Sequence, residues 1–306
     1  MKQTRRRNDL FLVITWVASI AAVATLLWIL ESIITPAMPA IQKTGLSFFT
    51  STVWDVNRDR YGAVPFLAGT AISSTIALLL ALPLGVFIAL FLSENFLPVP
   101  IRQTIRFVVE LLAAIPSVVF GLWGIAVVIP MVREFGGLLS DNLGFIPLFE
   151  GPPTGNSTLT ASLVLALMVL PTVTAISRSA LVAVPQTLRE GSYAVGATRW
   201  ETIFRVLLPT AAPGIVAATI LAFGRAMGET MAVAMLIGNS PRFSWSLLSP
   251  GGTLAGLLAN QFGEAKGLQI SALMYAALAL VLLTLLVNMI GEVVLRRAQK
   301  SISGVR

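Results

Sequence analysis

The chain contains no cysteine and no histidine among its 306 residues. No disulfide can form. No thiolate or imidazole metal site can be built, and every catalytic scheme that needs a histidine base is excluded. Charge is also scarce. Asp, Glu, Lys and Arg make up 11% of the residues, against about 25% in soluble domains. A fold with so few charges has too little polar surface to stay dissolved in water. A nucleotide-binding P-loop is missing as well. Only Lys43 and Lys300 are followed by Thr or Ser, and neither has the preceding glycine that a Gly-x-x-x-x-Gly-Lys-Ser/Thr phosphate cradle requires.

What the chain has instead is apolar length. Hydrophobic residues make up 56% of it and mean hydropathy is +0.85. They fall in blocks of about 20 residues, the length of helix that crosses a bilayer. Six spans are expected, over residues 10–30, 65–92, 105–132, 159–176, 212–237 and 270–294. Residues 10–30 are too long for the apolar core of a signal peptide and read as an uncleaved first span. Prolines such as Pro83, Pro116 and Pro171 fall inside these spans, where neighbouring helices can serve the freed carbonyls.

Lysine and arginine set the expected orientation. With the N-terminus inside, fourteen of the 21 basic residues fall on inner segments, including Arg5, Arg6, Arg7, Arg102, Arg106, Arg178, Arg189, Arg199 and Arg205. Both termini are therefore expected in the cytoplasm. The net charge of +7 reads as basic cytoplasmic loops and not as a nucleic-acid footprint. The outer loops, about 32–64, 133–158 and 238–269, are long enough to form a docking surface. Plain connection accounts for them equally well.

Two stretches carry chemistry. In the first, the inner segment 178–209, Pro185 can open a short helix, Gly196 can end it in a left-handed cap, and a second helix can run from Arg199 to Leu207. Leu188, Tyr193 and Val195 would give such a knob its apolar contacts. A helix lying on the membrane surface is the plainer reading of these residues alone. In the second, Arg225 and Glu229 fall mid-span in Phe-Gly-Arg-Ala-Met-Gly-Glu-Thr-Met-Ala-Val. Their i, i+4 spacing predicts a pair on one helix face. A charge at mid-span costs about 2.5–3.5 kcal/mol on insertion scales, so such residues face a bundle interior or a wet cavity. The pair is either a structural lock or part of an anion path, with Glu110 in the third span as a further partner. Arginine suits an oxyanion because its fork donates two parallel hydrogen bonds. Gly224 and Gly228 form a Gly-x-x-x-Gly stripe suited to close packing.

The inner segment resembles the EAA motif of ABC importer permeases. Glu190-Gly191-Ser192 stands for Glu-Ala-Ala; three residues later comes Gly196; nine further on Val206 stands for Ile; Leu208-Pro209 closes the pattern. The stretch from Gly224 to Asn239 resembles the phosphate branch of that family, as do the segments from Tyr61 to Thr70 and from Glu110 to Gly121. The run Met231-Ala232-Val233 is similar to that branch's C-type subunit. The resemblance implies an all-α membrane protein with a type I ABC importer permease (MetI-like) bundle. It divides the chain into a first span with its outer loop, residues 1–64, and a permease core, residues 65–306. It implies that Glu190, Gly191, Ser192, Gly196, Val206, Leu208 and Pro209 seat an ATPase subunit. It further implies a second, homologous permease, a dimer of ATP-binding subunits that use ATP and Mg2+, a periplasmic phosphate-binding protein and an inner-membrane location. This chain would bind no cofactor and catalyse no reaction itself. A permease for molybdate or sulfate is the nearest alternative, although Thr230 stands where those relatives usually carry Phe. A secondary transporter using Arg225 and Glu229 as a proton relay is the alternative of another class, and an ATPase socket would be superfluous to it.

Overall fold

The computed structural model describes residues 2–94 and 96–303, and the side chains of 11–94 and 96–299. The basic side chains Arg5, Arg6, Arg7, Lys300 and Arg306, which weigh in the expected orientation, lie outside the described side chains. Among the described residues, six helices are long and apolar enough to cross a membrane. The first, α1, runs Lys2–Thr44. A small hairpin, β1 (Trp54–Asp55) and β2 (Arg60–Tyr61), follows and leads into α2, Val64–Ser93.

The expected third span, 105–132, is not one helix. α3 (Val99–Ala114) ends at Ile115, whose backbone is extended (φ −70, ψ 126), and α4 (Ser117–Trp123) starts after Pro116. Proline Cδ clashes with a helical preceding residue, so an Ile-Pro step favours this break. A π-helical turn, Gly124–Val128, joins α4 to α5, Ile129–Leu143. The third span is therefore Ser117–Leu143. α3 buries Val109 and half-buries Ile105 and Leu112 against α6, while Phe107, Val108 and Leu111 stay exposed. It is amphipathic, with Arg102, Arg106 and Glu110 on its polar side.

α6 (Thr158–Val182) is the most buried span and packs on α2. A Cβ on Gly85 of α2 would lie 2.7 Å from Val173 Cγ1, so only glycine permits this approach. Pro83 and Pro171 lie inside continuous helices, unlike Pro116. Two short helices, α7 (Gln186–Ala194) and α8 (Arg199–Thr202), precede a π-turn, Ile203–Leu207, and α9, Leu208–Gly228. The expected fifth span, 212–237, is broken after Gly228, and α10 (Met231–Leu236) is a separate helix. α11 (Leu254–Gln261) and α12 (Leu268–Ser303) complete the chain.

The segments that join the spans are tied to one another. Thr158 N and Leu159 N donate to Ser249 O and Leu247 O at 3.2 and 2.8 Å, and Leu254 N donates to Thr70 Oγ1 at 2.9 Å. Trp54 Nε1 donates to Gln261 Oε1 at 3.1 Å, and Phe48 stacks on Tyr275 with centroids 4.2 Å apart. Tyr61 belongs to this cluster. Burial, and then its hydrogen bond to Asp59, push its phenol up to about 12, so it stays a neutral donor.

Candidate functional site

The segment 185–209 folds as its spacing predicts. Pro185 is the N-cap of α7, and Gly196 follows the helix end with φ +84. That conformation disfavours any side chain with a Cβ. A capping box starts α8. Glu201 N donates to Thr198 Oγ1 at 3.3 Å, and Thr198 N donates to Glu201 Oε2 at 2.8 Å. The Thr-x-x-Glu pattern at 198–201 was a readable signal for it.

The knob is held from below and presents itself above. Arg189 forms an ion pair with Glu94 at the end of α2, and its Nη2 donates to Leu181 O at 2.9 Å. Ser192 and Thr202 join α7 to α8 through their hydroxyls at 2.9 Å. The Arg199 guanidinium sits 3.7 Å over the Phe96 ring, which in turn lies 5.3 Å from Trp200. Ile203 and Leu207 are buried on Leu181, Val184 and Leu90, with Val206 and Leu208 half-buried around them. Glu190, Gly191, Tyr193, Val195 and Pro209 are exposed, and Ser192 is half-buried. The open side is thus a small acidic and apolar surface, with Val195 85% exposed. Glu94, Arg189, Phe96, Trp200 and Thr202 are supports that no local motif identified, because their partners are up to 95 residues away in sequence.

The mid-span charges are arranged differently from the expectation. Glu229 has left the helix (φ −67, ψ 127), and among the described residues no ion pair joins it to Arg225. The i, i+4 geometry requires continuous helix, which stops at Gly228. Thr230 Oγ1 donates to Gly228 O at 3.1 Å and serves one carbonyl freed by the break. Arg225 Nη1 reaches Thr172 Oγ1 of α6 at 3.4 Å. Glu110 is also no partner of Arg225. It lies on α3, exposed, with Arg106 Nε donating to its Oε1 at 2.7 Å. Among the described residues the glycine stripe makes no close helix contact: a Cβ on Gly224 would come no nearer than 3.9 Å to Asn288 Oδ1, and one on Gly228 would meet nothing within 4 Å.

Leu221, Arg225, Gly228 and Met231 are all exposed, and the first three share one face of α9. This stripe leaves a guanidinium uncovered at membrane depth. Bare arginine against lipid is costly, so the face suits a polar cavity or a second membrane subunit.

The family described as binding-protein-dependent transport system inner membrane component matches residues 81–304. The phosphate transport system permease protein PstC of Xylella fastidiosa (strain Temecula1) is 40% identical over 289 residues, covering 93% of this chain and 87% of the relative. That of Haemophilus influenzae is 38% identical over 302 residues, covering 94% and 96%. Among solved structures, a bacterial alginate ABC transporter in complex with its pentasaccharide-bound periplasmic protein superposes with a TM-score of 0.61 at 16% identity, covering 92% of this chain and 94% of that one. The MetNI methionine ABC transporter superposes with a TM-score of 0.54 at 23% identity, covering 78% and 94%. At these identities the structural likeness establishes the fold.

Proposed function

The chain belongs to the binding-protein-dependent transport system inner membrane components, and from that membership together with its similarity to phosphate permeases we propose that it carries inorganic phosphate inward as one permease subunit of an ATP-driven importer. It is a multi-pass inner-membrane protein with the type I ABC importer fold. The observation that carries the reading of its path is Arg225, uncovered on the outer face of α9 beside a helix break. A second, homologous permease packed on that face would enclose the guanidinium between two halves. The fork would then meet a tetrahedral oxyanion with two parallel hydrogen bonds. Glu229, displaced from Arg225, does not neutralise that fork, whose described contact is the hydroxyl of Thr172.

The phosphate assignment is supported by relatives whose names specify phosphate transport. The knob at 185–209 suits a cleft in an ATPase subunit, since its exposed face is rigidly backed and its chain runs through the π-turn into α9. In this scheme a pair of ATPase subunits binds ATP with Mg2+ and closes. The knob moves with them, and α9 shifts the path outward toward a periplasmic phosphate-binding protein. Hydrolysis resets the arrangement. Both termini then lie in the cytoplasm.

Uptake of labelled phosphate, molybdate and sulfate by cells with and without the chain tests the substrate. Phosphate uptake should depend on the chain and the other two should not. Loss of molybdate or sulfate uptake with phosphate unaffected would replace phosphate by that anion.

A further inference from the structure

α2, α9 and α12 leave an open groove between them, about 440 Å³ in volume. That is the size of sites that hold small organic ligands, roughly 300–1,000 Å³. α2 lines it with Leu82, α9 with Val216, Thr219 and Phe223, and α12 with Ile290 and Val294. The Thr219 hydroxyl donates to Ile215 O at 2.8 Å and is thereby engaged. A Cβ on Gly291 would lie 2.5 Å from Ile220 Cγ1, so glycine lets α9 and α12 meet there. The groove presents hydrocarbon to whatever lies in it.

The setting narrows what fits. α1 packs Ala37 and Ala40 with Leu273, Ala276 and Ala279, in the first half of α12, and its residues 11–29 are exposed. The groove is in the second half of α12, so α1 leaves it open. On α9, Val216 and Phe223 are turned about half a revolution from Leu221, Arg225 and Gly228. A second permease on the Arg225 face therefore lies on the far side of α9 from the groove. The groove also has a charged end. Ile290, Val294 and Arg297 are spaced i, i+4 and i+7, one stripe of α12. Arg297 is exposed and ion-pairs with none of the described acids, whereas Arg296 beside it takes Glu292. An apolar groove that ends in an arginine fits a molecule of two parts, hydrocarbon with an anion at one end.

We propose that the groove seats an acyl chain of an anionic phospholipid whose phosphate meets Arg297. Arginine lays its aliphatic stem on apolar surface and holds its fork at the depth of the headgroups, where it matches a phosphate. The lipid belongs to the leaflet on the knob side, because α9 enters the membrane from the knob and α12 leaves beside it. The site is independent of what the transporter carries. It rests on the reading that the second permease covers the Arg225 face.

The test uses the assembled transporter, purified in neutral detergent and incubated with phosphatidylglycerol or phosphatidylcholine. Retained lipid is counted by native mass spectrometry. Wild type should retain phosphatidylglycerol over phosphatidylcholine. Arg297→Gln should lower that preference about fivefold, the loss of one basic side chain at an anionic lipid surface. Thr219→Trp should fill the groove and lower retention of both lipids. Leu285→Trp, exposed on the opposite side of α12, should match wild type. So should the double variant Glu292→Gln, Arg296→Gln, which removes one charge of each sign. Should Thr219→Trp fail to assemble, Arg297→Gln, at an exposed position, decides alone. In a second arm a photoreactive maleimide is attached to single cysteines. At Ile290→Cys it should label lipid, and at Leu221→Cys the second permease. Equal retention of the two lipids by wild type, an unaltered preference in Arg297→Gln, or an adduct between Ile290→Cys and the second permease would overturn the site. Lipid labelling at Ile290→Cys without a permease adduct at Leu221→Cys would uphold the site and overturn the arrangement at Arg225.

Discussion

Arg189 of α7 is ion-paired with Glu94 at the end of α2, and both side chains are largely buried, 14% and 8% exposed. The pair fixes the proposed ATPase knob to a membrane span that is far from it in sequence. Removing one partner of a buried pair costs about 3–5 kcal/mol, because the other charge is left uncompensated, whereas replacing both can be neutral. Glu94→Leu or Arg189→Met alone should reduce ATPase co-purification. The double variant should recover it. Co-purified ATPase per permease, with the melting temperature of the complex, measures both.

Gly196 holds φ +84, and a branched side chain there costs roughly 1–2 kcal/mol. Gly196→Val should insert normally and lose ATPase association or transport, because the strain falls on the turn that aims α8. Gly191→Ala meets open space and should assemble as wild type in the same pull-down. Wild-type uptake by Gly196→Val would detach the knob from coupling.

The separation of Arg225 from Glu229 changes what a double variant should do. A structural ion pair would be relieved when both charges are removed. Arg225 instead contacts Thr172 and faces outward. Arg225→Gln should lower phosphate uptake per assembled complex about tenfold or more, the equivalent of one charge-assisted contact. Adding Glu229→Gln should not restore it, and Arg225→Lys should rescue only in part. Near-normal uptake by the assembled double variant would remove Arg225 from the path.

Single cysteines can report orientation without background, since the chain has none. Asn57, Asn142 and Ser244 are exposed on the segments read as external. Cysteines there should react with an impermeant thiol reagent applied to sealed cells, and cysteines at Gln103 and Thr198 should not. Ser246 lies on the same outer loop but is 6% exposed, so it would report burial and not sidedness. Labelling at Thr198 from outside would invert the topology.

The number of spans, the knob and its glycine cap were legible because each rests on local rules: apolar length, proline at a helix start, glycine at a helix end. The two errors fell where a local rule is ambiguous. Pro83 and Pro171 sit inside helices while Pro116 ends one. The difference lay in the preceding segment, where Arg102, Arg106 and Glu110 make α3 amphipathic and unsuited to mid-membrane. Gly228-Glu229 offered a weaker sign, since glycine lowers helix propensity without dictating a break. That break is set by tertiary packing: α10 lies against α4, where a Cβ on Gly121 would come within 2.6 Å of Met235 Sδ. Glu94 and Phe96, which brace the knob, carry no signal until the fold brings them to Arg189, Arg199 and Trp200.

The most direct test of the whole account is transport by defined parts. The chain is reconstituted in proteoliposomes with its second permease, the ATPase subunits and the phosphate-binding protein, and labelled phosphate is followed. Phosphate should accumulate only with ATP and Mg2+ on the knob side and binding protein on the other, and omission of the ATPase should stop it. Phosphate movement driven by a proton gradient without ATPase or ATP would contradict the account and make the chain a carrier in its own right.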